Sequence, residues 1–155
     1  MKSNTIAPAA RAGKIEVRSS GVHGRGVFAT RRIRASELIA FYTGRRYAAS
    51  EIASKDWDPR MTYVFGLSDG SLIDAREGGN DTRFINHACE PNCIAYEIDT
   101  ARGPAVEIRA KTTVARGEEL FLDYALDIAD NAPADYVCRC ASPGCRGTMS
   151  ASGRG

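Results

Sequence analysis

The chain has 155 residues, of which 43% are hydrophobic and 26% are charged, and its formal net charge is +2. These values are typical of one soluble globular domain and exclude disordered and fibrous classes. No apolar run approaches the ~18 residues of a membrane span, and the small net charge argues against a protein that coats nucleic acid. Residues 1–14 lack an apolar signal core, so we expect no export signal.

The chain begins with a polar, aperiodic segment, residues 1–13, which is predicted to be a disordered arm. Beyond it, short apolar segments of strand length are punctuated by Gly and Asp. A short helix is predicted after the N-cap type residue Ser50 through residue 57, because Pro59 discourages its continuation. The strand-like segments outside hairpins are 14–20, 26–30, 37–44 and 118–125.

Two β-hairpins are predicted between these segments. They pair 63–68 with 71–75 and 93–99 with 105–114. Asp69-Gly70 between the first two strands suits the left-handed dihedrals of a tight turn. Because no helix is long enough to make a parallel βαβ fold, the predicted class is a compact, mainly β (α+β) domain.

The five cysteines carry the strongest local signal. An odd number of cysteines without a signal peptide favours metal binding or reactive thiols over a disulfide framework. Cys138, Cys140 and Cys145 lie within eight residues and can converge on one tetrahedral zinc ion. The fourth ligand has to come from Cys89, Cys93 or a histidine. The alternatives are three unrelated thiols, or disulfides, which the strained C-x-C spacing disfavours.

Residues 83–93 concentrate Asn, His and two Cys in one run. One hypothesis is a hydrolase in which a thiol of this run and His87 form a nucleophile pair oriented by Asp74 or Asp123. A thiol that binds zinc is not free to act as a nucleophile, which weighs against this hypothesis. The simpler alternative is a polar turn in which His87 is buried and hydrogen-bonded.

Two further patterns are weak when each is taken alone. The glycine turn that starts at His23-Gly24-Arg25 lacks the full dinucleotide fingerprint and the helix that follows it. The aromatic residues Tyr42, Tyr63, Phe65 and Tyr124 lie at strand ends or along strand faces. Residue by residue, these aromatic side chains are better explained as core packing.

Together, these segments resemble the SET domain of protein lysine methyltransferases with its cysteine-rich post-SET tail. The resemblance runs in order from about residue 14 to residue 149, and its motifs are HGRGVF, FYTG, YVF with SLIDA, GGNDTRFINHACEPNC, GEELFLDY and CRCASPGCRGTM. It implies a fold of short curved sheets with a knot-like C-terminal crossing. It also implies a SET domain over 14–130, a post-SET segment over 131–150 and a disordered tail over 151–155.

The resemblance implies an S-adenosylmethionine site, a lysine channel and one structural zinc ion. The implied cofactor residues are His23, Gly24, Arg25, Tyr63, Arg83, Phe84, Asn86, His87 and Met149. The implied channel residues are Tyr42, Phe65, Leu122 and Tyr124, of which Tyr124 is catalytic. The implied zinc ligands are Cys89, Cys138, Cys140 and Cys145, which leaves Cys93 outside the metal site.

The resemblance implies an enzyme whose substrate is a lysine in a protein or peptide, such as a histone tail or another basic protein. The alternative is a non-catalytic module of the same fold that binds a lysine-containing partner. Leu122 departs from the family, which usually has Tyr or Phe there, and we expect more than one methyl group to be accommodated. An intracellular location is expected, cytoplasmic in a bacterium, with action on chromatin or as a secreted effector left open.

Overall fold

The structure is a computed structural model that describes residues 12–56, 63–125 and 137–150. Most of the predicted arm, the predicted tail and the predicted boundary between SET and post-SET segments lie outside these ranges, as does residue 57, the predicted end of the helix. Within the described residues, no helix is both long and apolar enough to cross a membrane.

Ten short strands, one short α-helix and two 3-10 turns make up the described fold. The strands are β1 (Ile15–Ser19), β2 (Arg25–Ala29), β3 (Leu38–Tyr42), β4 (Arg45–Tyr47), β5 (Val64–Gly66), β6 (Leu72–Asp74), β7 (Asn86–His87), β8 (Cys93–Thr100), β9 (Gly103–Ala110) and β10 (Glu119–Leu122). The helix α1 is Ala49–Ala53, and the 3-10 turns are Ala12–Lys14 and Asp81–Phe84. Residues 12 and 13 of the predicted arm therefore belong to the first turn.

The first sheet has the order β1-β2-β10-β7. β10 pairs antiparallel with β2 and parallel with β7, so that Phe121 lies opposite Asn86 and Leu122 opposite His87. Parallel pairing joins segments that are distant in sequence. This pairing brings the run 83–93 next to the strand that precedes Tyr124.

The second sheet, β3-β9-β8, contains the long hairpin predicted from the sequence. Its register runs from Cys93 opposite Ala110 to Thr100 opposite Gly103, which leaves a two-residue loop at Ala101 and Arg102. Gly103 after this loop has φ 99°, which favours glycine. β9 begins two residues before the predicted strand, because pairing extends to the loop.

The third sheet, β4-β6-β5, contains the predicted Asp-Gly hairpin. Gly70 has φ 85°, and the Asp69 carboxylate accepts a 2.9 Å hydrogen bond from the Ser71 N–H, as in an Asx turn. β4 was not predicted, because three residues show no periodicity that indicates a strand.

Helix α1 is shorter than predicted and starts two residues earlier. The predicted N-cap type residue Ser50 lies inside the helix, and the N-cap is Ala48. Glu51 compensates for the missing cap side chain, because its carboxylate accepts a 2.7 Å hydrogen bond from the Ala48 N–H. The Ser54 hydroxyl donates to the Glu51 carbonyl at 3.1 Å and so satisfies the last turn.

One hydrophobic core draws residues from all three sheets. Its fully buried side chains include Ile73 from β6, Ile108 from β9 and Leu120 from β10, together with Ile33 and Ile85 from connecting segments. Burial of each such side chain stabilises the fold by about 1.5–3 kcal/mol. The mainly β class with few helical residues is confirmed.

Candidate active site and metal centre

A cavity of about 630 Å³ lies where the glycine turn, the run 83–87 and the C-terminal segment meet. All nine predicted cofactor residues line it. Tyr124 also lines it, as do Val22, Val137, Cys138 and Arg139, which the sequence did not single out as cavity residues. Segments more than sixty residues apart in sequence therefore form one large cavity.

Asn86 joins the two walls of this large cavity. Its amide Nδ2 donates to the carbonyls of His23 at 3.1 Å and Arg25 at 2.9 Å and to the Glu119 carboxylate at 3.0 Å. The Ser20 hydroxyl donates to the same Glu119 oxygen at 2.7 Å. Since Asn86 is 8% exposed, these bonds replace water and fix the glycine turn against β7.

Glu119 is a supporting residue that sequence reasoning missed. In the sequence, Glu119 is the second of two consecutive glutamates after the turn at Gly117, and it looks like an ordinary solvent-exposed charge. Its sequence signal is indirect and lies at Gly26, where a Cβ would come within 2.1 Å of the Glu119 carboxylate oxygen. Glycine at position 26 therefore leaves the space that this carboxylate occupies.

Cationic side chains surround Phe84 in the large cavity. The guanidinium carbon of Arg83 lies 4.7 Å from the ring centroid and that of Arg25 lies 5.7 Å from it. The Tyr63 ring meets the Phe84 ring edge-on with centroids 6.4 Å apart. The large cavity thus offers positive charge beside aromatic surface, a combination that suits an anionic group attached to a flat ring system.

A second, narrow cavity of about 50 Å³ adjoins the first. The four predicted channel residues, Tyr42, Phe65, Leu122 and Tyr124, all line it. Its other lining residues are Val64, Thr82, Arg83, Ile85, Ala95 and Asp123. Arg83 and Tyr124 line both cavities, so the two cavities share a wall.

Tyr124 is held at both its backbone and its hydroxyl group. Its hydroxyl donates to the Ile85 carbonyl at 2.5 Å, and its N–H donates to His87 Nδ1 at 3.0 Å. Burial raises the pKa of Tyr124 above its ordinary value, and the neighbouring Tyr63 adds to the effect. The phenol is therefore neutral over the physiological pH range.

Tyr42 and Phe65 form the opposite side of the narrow cavity. Their ring centroids lie 5.1 Å apart at an interplanar angle of 56°. The Tyr42 hydroxyl donates to the Tyr63 carbonyl at 2.9 Å, and burial raises the pKa of Tyr42. Tyr63 itself lies just before β5 and lines the large cavity.

The sulfur atoms of Cys89, Cys138, Cys140 and Cys145 all lie within 4.8 Å of one another. None of the four is in a disulfide. Backbone N–H groups point at the sulfurs, as at Cys89, which receives the N–H of Arg146 at 3.3 Å, and at Cys145, which receives that of Gly147 at 3.4 Å. Such donors stabilise thiolates, the form that binds zinc.

Four sulfurs with this spacing fit a structural zinc site, in which four ligands surround the ion tetrahedrally. Cys89 completes the group that Cys138, Cys140 and Cys145 begin. Cys93 lies elsewhere, 1% exposed in the core, and burial raises the pKa of its thiol to about 12. The sequence left Cys89, Cys93 and histidine open as the fourth ligand before the resemblance was considered.

His87 lies between Tyr124 and the cysteine cluster. Because its Nδ1 accepts the Tyr124 N–H, its Nε2 carries the proton and faces Cys89 Sγ at 3.5 Å. Burial lowers the pKa of His87 below its ordinary value, with the Asp123 carboxylate acting in the opposite direction. The ring is therefore neutral, buried and hydrogen-bonded, as the simpler sequence alternative expected.

The hydrolase hypothesis does not fit these contacts. The Asp123 carboxylate lies 3.7 Å from His87 Nδ1, but that nitrogen already accepts the Tyr124 N–H. Burial raises the pKa of Cys89, and its sulfur belongs to the four-cysteine group. Asp74 is fully buried and binds Arg76 at 2.9 Å, so it does not orient His87.

The fold and the two adjoining cavities define a small β-rich domain with a large cofactor-sized site beside an aromatic pocket and a cysteine cluster. The family model described as SET domain matches residues 24–125. The chain therefore belongs to the SET-domain family, and the resemblance found in its sequence is confirmed.

Several curated relatives are similar over most of this chain. "Histone-lysine N-methyltransferase 2B" of Homo sapiens is 37% identical over 136 residues, which cover 85% of this chain and 5% of the relative. "Histone-lysine N-methyltransferase trr" of Drosophila melanogaster is 36% identical over 135 residues, 84% of this chain and 6% of the relative. "Histone-lysine N-methyltransferase set1" of Dictyostelium discoideum is 34% identical over 149 residues, which cover 88% of this chain and 9% of the relative. The chain spans less than a tenth of each.

Proposed function

We propose that this chain transfers methyl groups from S-adenosylmethionine to the ε-amine of a lysine in a protein substrate. The observation that carries the proposal is the junction of a large and a narrow cavity at Arg83 and Tyr124. The large cavity suits the cofactor, and the narrow one suits an unbranched side chain that approaches it from the other side. The names of the relatives support the same reaction.

The cofactor occupies the large cavity in this proposal. Arg25 and Arg83, both near the Phe84 ring, supply positive charge for its carboxylate. The turn residues His23 and Gly24 contribute backbone groups at the wall that Asn86 fixes. The remaining proposed cofactor residues are Tyr63, Phe84, His87 and Met149, which also line the cavity.

The substrate lysine has to be neutral before it can react. Because a lysine in water has a pKa near 10.4, its deprotonation at pH 7 costs about 4.6 kcal/mol. The narrow cavity lowers this cost, because aromatic and apolar walls at Tyr42, Phe65 and Leu122 disfavour a buried ammonium ion. Two cationic groups side by side are further disfavoured when the sulfonium of the cofactor is bound.

Tyr124 orients the reacting groups rather than removing the proton. Its hydroxyl hydrogen is committed to the Ile85 carbonyl, so its oxygen lone pairs remain available as acceptors for an amine N–H. When bound, the cofactor would supply an electrophilic methyl group for transfer to the amine nitrogen, with its thioether as the leaving group. Because burial raises the pKa of Tyr124, a tyrosinate base at neutral pH is not part of this mechanism.

The four-cysteine group holds one structural zinc ion in this proposal. Four thiolates close the coordination sphere, so the ion has no open position for chemistry. Cys138 lines the large cavity as well as belonging to the cluster. Metal binding therefore orders the C-terminal segment that forms one wall of the cofactor site.

A histone tail or another basic protein is the proposed substrate. The names of the relatives specify histone lysine, and a lysine side chain matches the narrow cavity. The alternative is a non-catalytic module that uses the narrow cavity to hold a lysine-containing partner.

Calorimetry with zinc-loaded protein separates these two functions. The enzyme proposal predicts one S-adenosylmethionine bound per chain and methyl-lysine in a mixture of histones after incubation. Protein that is folded and zinc-loaded but binds no cofactor would overturn the enzyme proposal and favour the binding module.

Leu122 governs how many methyl groups can be added. It occupies a wall of the narrow cavity without the hydroxyl of Tyr or the bulk of Phe. We predict that mass spectrometry of the exhaustively methylated product shows di- or trimethyl-lysine for the wild type, and that Leu122→Tyr shifts the product toward monomethyl-lysine. Monomethyl-lysine alone from the wild type would contradict this prediction.

A further inference from the structure

A closed ring of contacts joins the cysteine cluster to the residues at the narrow cavity. On one side, His87 Nε2 faces Cys89 Sγ at 3.5 Å while its Nδ1 accepts the Tyr124 N–H at 3.0 Å. On the other side, the Arg146 backbone N–H donates to Cys89 Sγ at 3.3 Å. The Arg146 guanidinium then binds the carboxylate of Asp123, the residue before Tyr124, at 2.9 and 3.3 Å.

The ion pair in this ring is well shielded from water. The side chains of Arg146 and Asp123 are 15% and 18% exposed. Among the described residues, Arg146 Nε is buried without a hydrogen-bond partner, so the bonds to Asp123 are what offset the desolvation of the guanidinium there. Loss of one partner from such a pair leaves the other charge uncompensated, which is more costly than loss of an exposed pair.

We propose that Arg146 is a positioning residue that couples the cysteine cluster to Tyr124 through Asp123. Arg146 lines neither cavity, whereas Asp123 and Tyr124 both line the narrow one. A single residue thus donates its backbone N–H to a proposed zinc ligand and its side chain to the wall of the narrow cavity. The positioning role rests on the proposed function, because it concerns the geometry of the residue proposed as catalytic.

Methyl NMR of leucine-labelled protein tests the coupling without cofactor or substrate. Leu122 lines the narrow cavity beside Tyr124, so its methyl signals report on the position of the nearby aromatic rings; the Leu122→Met variant assigns them. In wild type, chelation of the metal is expected to shift the Leu122 signals. In Arg146→Ala that still binds one zinc per chain, the Leu122 signals are expected to move from their zinc-loaded wild-type positions toward those of the chelated wild type.

Arg109→Ala is the matched control. Arg109 forms an ion pair as well, to Glu107 at 2.7 Å, with the arginine more exposed than Arg146, and it donates to the Ser36 carbonyl at 2.9 Å, but it lines neither cavity. This variant is expected to leave the Leu122 signals unchanged. Arg146→Lys keeps the charge without the two-pronged contact and is expected to give an intermediate shift.

Leu122 signals that remain at their wild-type positions in zinc-loaded Arg146→Ala would overturn the proposal, whether or not methyl transfer is observed. If Arg146→Ala does not fold, Arg146→Lys and Asp123→Asn provide the same comparison. With an active wild type, we expect Arg146→Ala to lower kcat about tenfold while the dissociation constant of S-adenosylhomocysteine changes less than about twofold. A weaker binding of that product with an unchanged kcat would also contradict a positioning role at Tyr124.

Discussion

The five cysteines differ in environment although they are identical in covalent structure. Cys93 packs in the core, where burial raises the pKa of its thiol to about 12. Cys140 lies in the cluster, where burial raises its pKa but the Cys89 N–H and Ser142 outweigh that effect and bring it to about 6. A thiol with a pKa of 12 is protonated at pH 8 in all but about one molecule in 10⁴.

We predict that alkylation at pH 8 distinguishes these environments. Zinc-loaded, folded protein is expected to resist iodoacetamide at the cluster, and chelation is expected to expose four cysteines while Cys93 reacts only after unfolding. Mass mapping of the labelled peptides provides the measurement. Cys89→Ser is expected to lose zinc and Cys93→Ala to keep it; labelling of Cys93 in the folded protein, or full zinc content in Cys89→Ser, would contradict this assignment.

At the scale of elements, the connection between the second and third sheets packs closely against β6. The connection from β3 to β4 passes Gly44, where a Cβ would lie 2.3 Å from the backbone oxygen of Asp74 at the end of β6. The contact adjoins the pairing of Arg45 with Asp74 between β4 and β6 and lies two residues after Tyr42, the last residue of β3. The Tyr42 wall of the narrow cavity is therefore joined to the sheet that carries Phe65 through a backbone contact that only glycine permits.

We predict that Gly44→Ala lowers the free energy of unfolding by about 1–3 kcal/mol, because backbone atoms have to move apart. Gly66→Ala in β5 is the control, since no atom of the described residues lies within 4 Å of the added methyl group, and its effect is expected to stay within about 0.5 kcal/mol. Urea unfolding of both variants supplies the comparison, and equal stabilities would show that this close approach is absent.

The turn that leads into β3 depends on one carboxylate. Glu37 accepts hydrogen bonds from Arg31 at 2.6 Å and the Arg34 N–H at 3.1 Å, and Lys14 lies 3.3 Å away. The Arg31 bond, followed by that of Arg34, lowers the pKa of Glu37 to about 2. A carboxylate with a lowered pKa stabilises the folded state above its unfolded value, near 4.3, and loses that contribution as the pH falls to about 2.

Glu37→Gln is therefore predicted to reduce the free energy of unfolding at pH 7 and to have a diminishing effect between about pH 4.3 and pH 2. Denaturant unfolding of wild type and variant across this range measures the difference. Glu16→Gln, which removes a half-exposed pair with Arg18, serves as the control with a smaller effect at pH 7. A difference between wild type and Glu37→Gln that grows on acidification would contradict the assigned role.

At the scale of the whole molecule, local residue patterns predicted turns and hairpins but did not by themselves predict the non-local strand pairing. Asp69-Gly70 predicted its hairpin because the turn is specified by adjacent residues. β7 has only two residues, and its parallel pairing with β10 leaves no local pattern. In the sequence, Glu119 and Arg146 look like ordinary charged surface residues. Only the folded structure shows that the Glu119 carboxylate binds Asn86 and that the Arg146 guanidinium binds Asp123.

The large and narrow cavities combine predictable and unpredictable parts. Most of their lining residues lie in motifs that the SET resemblance covers, the exceptions being Val22, Ala95 and Val137, so their grouping could be expected before the fold was known. The contacts that hold Asn86 in place could not: its carboxylate partner Glu119 lies in the GEELFLDY motif without a role that the motif reveals, and Ser20, which donates to Glu119, lies outside the motifs. Such supporting contacts depend on three-dimensional packing that sequence periodicity does not encode.

Transfer of labelled methyl groups tests the proposed function most directly. Zinc-loaded wild type and Tyr124→Phe are incubated with methyl-labelled S-adenosylmethionine and histone-containing protein extract, and the labelled amino acid is identified after hydrolysis. We predict label in ε-N-methyl-lysine with the wild type and a loss of about 10²-fold in Tyr124→Phe, because the amine and the methyl group lose their alignment. Absence of labelled lysine with a cofactor-binding wild type, or equal labelling by the two proteins, would contradict the proposed reaction.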